Sequence, residues 1–250
     1  MTFSIDELRL SIKKNKPSIG TWMQIPSPEV AEILSSMNCY DWIVIDLEHG
    51  SFSRNELPSI IRAIEINKEL PFVRLQSINY SSVKEIVDCG FLGYIVPMIE
   101  SPSQLEIIYD QITYPPLGKR GVGFSRSNQY GLNFKEKVEN QFKPFLVAMI
   151  ETKNGLENIE DILDYKNLDA VIIGPYDLSA SLSVCGNFDS AIFLKSINHI
   201  IDACKKKGIP YGTHLIEPCN KKLKEIIENG SRFIPFSLDT VMLYQNRPKL

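Results

Sequence analysis

The sequence predicts an α/β fold, a (β/α)8 TIM barrel, on three observations. Short apolar runs alternate with amphipathic segments from one end of the chain to the other. There are eight such runs. Ionisable residues stand where most of them end. Repeated strand–helix alternation with eight strands is the barrel pattern, and a doubly wound sheet is the other arrangement the alternation allows. The 250 residues fit one barrel, and no low-complexity linker divides them, so a single domain over residues 1–250 is expected.

The eight runs expected as strands are Ile19–Gln24, Trp42–Leu47, Phe72–Gln76, Gly93–Met98, Phe145–Ile150, Ala170–Ile173, Tyr211–Leu215 and Phe233–Leu238. Apolar runs of this length bounded by turn signals read as strands buried on both faces. Between them lie helical patterns. Pro28–Met37 spaces Val30, Ile33, Leu34 and Met37 on one face. Ser53-Arg-Asn-Glu56 reads as a capping box opening a helix through Asn67. Ser81–Cys89, Ser103–Ile112, Leu156–Leu163, Ser190–Lys207 and Glu217–Glu228 follow, and Asp239–Gln245 is a short last helix. One connection, from about Thr113 to Phe145, is long enough to be a covering loop or a subunit contact. Its polar groups, within Phe124-Ser-Arg-Ser-Asn-Gln-Tyr-Gly131, could reach over the barrel mouth.

The bulk numbers exclude several classes. Apolar content is 44% and net charge is −3, which supplies no field for nucleic acid or acidic membranes. The lysine clusters Lys205–Lys207 and Lys221-Lys222 read as solvated helix faces. The five cysteines are odd in number and have no CxxC spacing, which argues against a disulfide framework or zinc knuckle and suits a reducing cytoplasm. The first residues show no basic segment leading into an apolar one, as a secretory signal would. No apolar run approaches the roughly 20 residues of a membrane span.

Catalytic groups of a barrel sit at the C-terminal ends of its strands. Those ends offer Asp46, Glu48 and His49; Arg74 and Gln76; Glu100; Glu151; Asp177; His214 and Glu217; and Asp239. Glu151 and Asp177 say most. Each follows an apolar run, where an unpaired charge costs several kcal/mol. Two carboxylates converging at one mouth suit a hard cation such as Mg²⁺, which takes one or two protein carboxylates and completes its shell with substrate and water. His49 is the best general base, with Asp46 or Glu48 as the carboxylate that orients it; metal ligation is its alternative role. Arg74, inside a β pattern, needs an anion, either a substrate oxygen or an internal carboxylate. Gly174-Pro-Tyr-Asp177 leads into a helical start, where the backbone N–H groups of Tyr176 and Asp177 could hold a carboxylate. No lysine lies on an expected strand, which disfavours a Schiff-base route. There is no GxGxxG, Walker loop or nucleophile elbow.

The ordered set Asp46-Leu-Glu-His49, Arg74, Pro97-Met98, Tyr114-Pro-Pro-Leu-Gly-Lys-Arg-Gly-Val-Gly123, Ile150-Glu-Thr152 and Gly174-Pro-Tyr-Asp-Leu-Ser179 resembles the HpcH/HpaI aldolase family of class II pyruvate aldolases. The resemblance runs from Gly20-Thr-Trp22 to Asp239-Thr240. It implies a barrel of the phosphoenolpyruvate/pyruvate type and reversible cleavage of a 4-hydroxy-2-oxo acid to pyruvate and an aldehyde. It implies a divalent metal (Mg²⁺, Mn²⁺ or Co²⁺) on Glu151 and Asp177, an acid/base dyad of His49 and Asp46, and Arg74 on the pyruvate oxygen. The backbone at Tyr176 and Asp177 would hold the carboxylate, with Trp22 and His214 also in the substrate site. It further implies a homo-oligomer, hexamer or trimer. Two features depart from the family. Met149 stands where the heptanedioate aldolase carries a glutamine, and the segment after Asp239 is short for helix exchange between subunits. Phe124–Tyr130, His214 and Asp239 resemble a subset associated with sugar acids and are expected near the aldehyde acceptor. A related metal-enolate lyase acting on a CoA thioester, or a non-catalytic barrel, are the alternatives.

Overall fold

The computed structural model describes residues 4–78 and 80–248. Its strands are β1 (Ser18–Met23), β2 (Trp42–Asp46), β3 (Leu70–Arg74), β4 (Gly93–Val96), β5 (Phe145–Ile150), β6 (Ala170–Ile173), β7 (Tyr211–Thr213) and β8 (Phe233–Leu238). All pair in parallel, in the order β7-β6-β5-β4-β3-β2-β1-β8. The ring closes through a parallel bridge between Leu215 and Phe236. There the Leu215 N–H donates to Pro235 O at 2.9 Å and the Ser237 N–H to Leu215 O at 2.8 Å. This is the (β/α)8 barrel that the alternation predicts.

The helices are α1 (Ile5–Lys13), α2 (Pro28–Ser36), α3 (Leu57–Glu65), α4 (Tyr80–Val87), α5 (Pro102–Ile112), α6 (Lys153–Glu157), α7 (Ile159–Leu163), α8 (Pro175–Ser181), α9 (Ala191–Lys207), α10 (Asn220–Glu228) and α11 (Asp239–Gln245). Three differ from expectation. The single helix expected over Leu156–Leu163 is two, α6 and α7, meeting at Asn158. The Glu56 carboxylate does accept from Ser53 N and Oγ, at 2.7 and 2.8 Å, but that turn only leads into α3, which begins at Leu57 with Pro58 in its first turn. Helix α1 lies outside the expected set, although Ser4-Ile-Asp-Glu7 is a capping box, with both reciprocal bonds formed.

Two apolar layers follow from strand alternation. Ile43, Ile45, Val73, Leu146, Ala148 and Val171 face outward onto the helices. Trp42, Val44, Phe72, Ile95, Phe145, Val147, Ile172 and Phe233 fill the lumen. Trp42 stacks on Phe233 at 4.3 Å between centroids, and Phe233 on Phe145 at 5.3 Å. This aromatic layer requires glycine on the facing strands: a β-carbon on Gly20 would lie 2.1 Å from the Trp42 ring, and one on Gly93 2.4 Å from Phe72. Beneath it, Ile5, Leu8 and Ile12 of α1 join the same cluster. Arg9 clamps α1 in place by donating to both carboxylate oxygens of Asp169, at 2.8 and 3.0 Å, and to the Lys143 and Pro144 carbonyls.

The long connection does not cover the mouth. It leaves the C-terminus of α5 and enters the N-terminus of β5, so it belongs to the opposite face of the barrel. Its contacts agree: Arg120 and Ser127 bond Asp88, and Arg126 bonds the Cys89 carbonyl and Glu65, all at or just past the ends of α3 and α4. Phe124–Tyr130 therefore does not line an acceptor site within this chain.

Asp239 is 3% exposed. Its carboxylate accepts the backbone N–H groups of Gln24, Ile25 and Thr240, at 3.0, 2.9 and 2.7 Å, and so ties the end of β8 to the end of β1. With all its acceptor capacity turned to the backbone, it is not available to an aldehyde. Asp239→Ala is expected to lower unfolding free energy by about 2–3 kcal/mol, because charge-assisted bonds to buried N–H groups are lost together; urea titration followed by circular dichroism measures it.

Candidate active site

Alternation continues past the strand ends, and it decides which side chains enter the mouth. Gln24 shares the parity of Trp22, Asp46 that of Val44, Arg74 that of Phe72, Glu151 that of Met149, and His214 that of Gly212. Each points into the lumen above the apolar layers. Asp46 and Arg74 are direct partners in the β2–β3 register. Arg74 Nε donates to Asp46 Oδ1 at 2.8 Å and Nη2 to Oδ2 at 2.7 Å, a fork-to-fork pair. Nη1 lies 2.9 Å from Glu48 Oε2. Asp46 and Arg74 are buried, at 0% and 6% exposure. Burial alone would raise the Asp46 carboxyl; its hydrogen bonds and the Arg74 charge outweigh that and hold it below its usual value. Gln24 Nε2 adds a bond to Oδ2 at 2.9 Å.

The turn after β2 joins Asp46 to the segment that carries His49. Asp46 Oδ1 reaches His49 through the backbone, accepting the N–H groups of Glu48 and His49 at 3.1 and 3.3 Å. That turn bends the chain past Leu47 and leaves the His49 side chain exposed at the mouth. Burial raises the neighbouring Glu48 carboxyl, Arg74 and His49 oppose the rise, and Asp46 and Asp177 add to it.

Glu151 is 2% exposed. Its Oε1 accepts the Met98 N–H at 2.7 Å. Met98 has a φ of 53°, a left-handed conformation costing roughly 1–2 kcal/mol for a side-chain-bearing residue, and this turn brings its N–H to the carboxylate. A β-carbon on Gly174 would sit 2.5 Å from Glu151 Oε2, so glycine there keeps the second oxygen clear. Burial pushes the Glu151 carboxyl up to about 7, with Asp177 and Glu48 adding to the rise and the Met98 N–H and Arg74 opposing it. Asp177 stands exposed in the first turn of α8, where the N–H groups of Tyr176 and Asp177 have no intrahelical acceptor. Among the described residues no three His, Cys, Asp or Glu side chains are grouped as a ready metal-ligand set. The site instead has a surplus of carboxylate around Glu151, and that surplus fits a cation bound by two protein carboxylates, its remaining positions left to substrate and water.

Trp22 forms a wall of the site. Its ring stacks on His214 at 4.8 Å between centroids, and the Arg74 guanidinium lies 4.5 Å from its ring centre. His214 Nε2 is 3.3 Å from Ser237 O. Met149 is 3% exposed and belongs to the lumen cluster beneath these groups. The expected ring of charges is thus divided. Gln24, Asp46, Glu48, Arg74, Glu151, Trp22 and His214 come together, while Asp239 is a latch. Glu100 is turned toward the neighbouring loops: its Oε2 accepts from Asn154 Nδ2 at 3.4 Å, while its backbone N–H donates to Gln104 Oε1 and its carbonyl accepts from Asn158. Gln24 and the Met98 N–H escape sequence reasoning. The parity of Gln24 with Trp22 is a usable signal; nothing in the sequence announces the Met98 turn.

Burial and the nearby Arg74 lower His214 to about 4. A folded-state value below the unfolded 6.5 means the unfolded chain binds more protons between those limits. Stability from this group is therefore full above pH 6.5 and is lost as pH falls toward 4. The urea midpoint is expected to drop between pH 7 and pH 5, and to drop less in His214→Gln.

Residues 18–245 match the model of the HpcH/HpaI aldolase/citrate lyase family. The hydroxypyruvate/pyruvate aldolase of Roseobacter denitrificans is 30% identical over 97% of this chain and 94% of its own. The 4-hydroxy-2-oxovalerate aldolase of Novosphingobium aromaticivorans is 27% identical over 96% and 91%. A crystal structure of an HpcH/HpaI aldolase/citrate lyase family protein from Burkholderia cenocepacia J2315 superposes with a TM-score of 0.87 at 26% identity, covering 95% of each chain. With a family model matched across nearly its whole length, this chain belongs to the HpcH/HpaI aldolase/citrate lyase family.

Proposed function

We propose that this protein is a divalent-metal-dependent aldehyde-lyase, which reversibly cleaves a 4-hydroxy-2-oxo acid to pyruvate and an aldehyde. The observation that carries the reading is Glu151, a buried carboxylate beside the charges of Glu48 and Asp177. Arg74 is the cation that acts on it, and Arg74 is already bonded to Asp46. The names of the relatives, aldolases of small oxo acids, support the same reaction class.

Glu151 and Asp177 would hold the metal, Mg²⁺, Mn²⁺ or Co²⁺. When bound, it supplies Lewis-acid stabilisation of charge on the substrate's oxo group. The rest is work for the chain's own residues. Two of the five Arg74 N–H groups are taken by Asp46, and Nη1, which lies 2.9 Å from Glu48 Oε2 with no hydrogen bond formed there, keeps its N–H groups for the developing enolate oxygen. Asp46, itself held by Gln24, fixes the guanidinium plane. The first-turn N–H groups of Tyr176 and Asp177 would hold the substrate carboxylate. His49, exposed at the mouth beside Glu48, takes the 4-hydroxyl proton as the C3–C4 bond breaks. The bonding pair passes to C3, the aldehyde departs, and protonation at C3 gives pyruvate. Trp22 and His214 close the side of the site away from solvent.

A homo-oligomer and a cytoplasmic setting complete the reading. Val122, Phe124, Tyr130 and Leu132 leave apolar surface exposed on the long connection, which supports a subunit contact. All five cysteines are free thiols, and no described helix is long and apolar enough to cross a membrane.

Chelation with EDTA is expected to abolish pyruvate formation and add-back of Mg²⁺, Mn²⁺ or Co²⁺ to restore it; full turnover in EDTA would refute the metal requirement. Arg74→Ala is expected to lower kcat by about two to three orders of magnitude. Arg74→Lys should recover little of it, since an ammonium cannot bridge Asp46 and substrate with a planar fork.

A further inference from the structure

Beside the candidate active site lies a second hollow, of about 400 Å³, between the end of β7 and the helices α8 and α9. It shares Tyr176 and His214 with the site itself. One side of it is apolar, formed by Phe188, Phe193, Ile197 and Ile216, and Thr213 adds a polar group at the end of β7. The aromatic members brace one another, Tyr176 edge-on to Phe188 at 5.0 Å and Phe188 to Phe193 at 5.3 Å between centroids. The charged side chains Glu217 and Lys222 also border the hollow, and both are exposed to solvent.

The shared residues make this hollow a neighbour of the site. Tyr176 adjoins Asp177, a candidate metal ligand, and His214 stacks on Trp22, against which Arg74 also packs. A substrate fixed at Glu151, Asp177 and Arg74 by its oxo-acid end has this apolar space beside it. His214 is held neutral by its burial, so its face toward the hollow adds an aromatic surface and no charge. The sequence resemblance to sugar-acid enzymes points to a polyhydroxylated acceptor. The structure removes two of the three features behind that expectation: Phe124–Tyr130 lies on the opposite face, and Asp239 is consumed by the backbone of Gln24, Ile25 and Thr240. His214 alone remains, and it lines an apolar wall.

We infer that the aldehyde released or accepted by this enzyme carries an apolar chain or ring of several carbons, seated among Phe188, Phe193, Ile197 and Ile216. The volume suits such a group, since ligand cavities run from about 300 Å³ upward. Hydroxyl groups placed among those four side chains would give up water for no hydrogen-bond partner. A methylene that fills an apolar pocket discriminates by about 10–200-fold, so several together give a clear preference. The inference rests on the aldolase reading above and adds the class of acceptor.

The test has two stages. Exchange of the pyruvate methyl protons with solvent deuterium, followed by NMR with Mg²⁺ or Mn²⁺ present, reports the pyruvate half of the site alone. Aldol addition of pyruvate to hexanal and to glyceraldehyde then compares an apolar with a polar acceptor. The expected result is exchange, a kcat/KM at least about tenfold higher for hexanal, and a hexanal-to-glyceraldehyde ratio that narrows in both Phe188→Ala and Ile197→Ser. Absence of exchange overturns the aldolase reading and this inference with it. Exchange with a ratio below about ten overturns the acceptor assignment alone. A preference for hexanal that survives both substitutions moves the apolar contact elsewhere and overturns it as well. The wild-type ratio decides the question even where one variant fails to fold.

Discussion

The pairing of Asp46 with Arg74 across neighbouring strands is the constraint on which the rest of the site depends. Both groups are taken almost wholly out of water, so neither is tolerated without the other; breaking such a pair typically costs about 3–5 kcal/mol. Because the two are register partners, the pair also fixes how β2 lies against β3. A slip of one residue in either strand would turn its charge into the outer apolar layer of Ile45 or Val73 and leave the partner buried alone. From that fixed point the other positions follow. Asp46 gathers Gln24 from β1 and the backbone of Glu48 and His49. Arg74 draws in Glu48 and lies against Trp22.

Much of this is legible in the chain itself. Eight apolar runs and their alternation are enough for the barrel, because a strand buried on both faces leaves a continuous apolar signature. The parity of Val44 and Asp46, or of Met149 and Glu151, already aims those carboxylates inward. What the sequence conceals is partnership. Asp46 precedes His49 by three residues, and proximity in sequence suggests that pair; that Asp46 also holds Arg74, on the next strand, is found only through register. The same holds for Asp239, whose charge at a strand end looks functional until the backbone N–H groups of β1 are seen to claim it. The course of the long connection is hidden in a different way. Its length suggests a lid, but a segment that feeds a strand's N-terminus is committed to the face away from the chemistry.

The two ends of the barrel consequently carry different kinds of polarity. At the mouth, charges are unevenly matched, with carboxylates around Glu151 in excess of cations. At the base, Arg9 meets Asp169 and two carbonyls in full. Surplus charge held at high energy is what a ligand can relieve; satisfied charge serves only to hold. The aromatic layer of Trp42, Phe72, Phe145 and Phe233 separates the two, so the cost of the unbalanced end is met by dense packing directly below it.

The clamp formed by Arg9 bears on how the chain reaches this state. Arg9 and Asp169 are separated by 160 positions in sequence, and the carbonyls it binds lie at the entry to β5. Arg9 therefore gains these partners only when β5 and β6 stand side by side. Contacts of such long range form slowly, since closure of the intervening loop must come first. The clamp that closes the base of the barrel is thus a late contact, and it seals the lower aromatic layer only once the strands above it are paired.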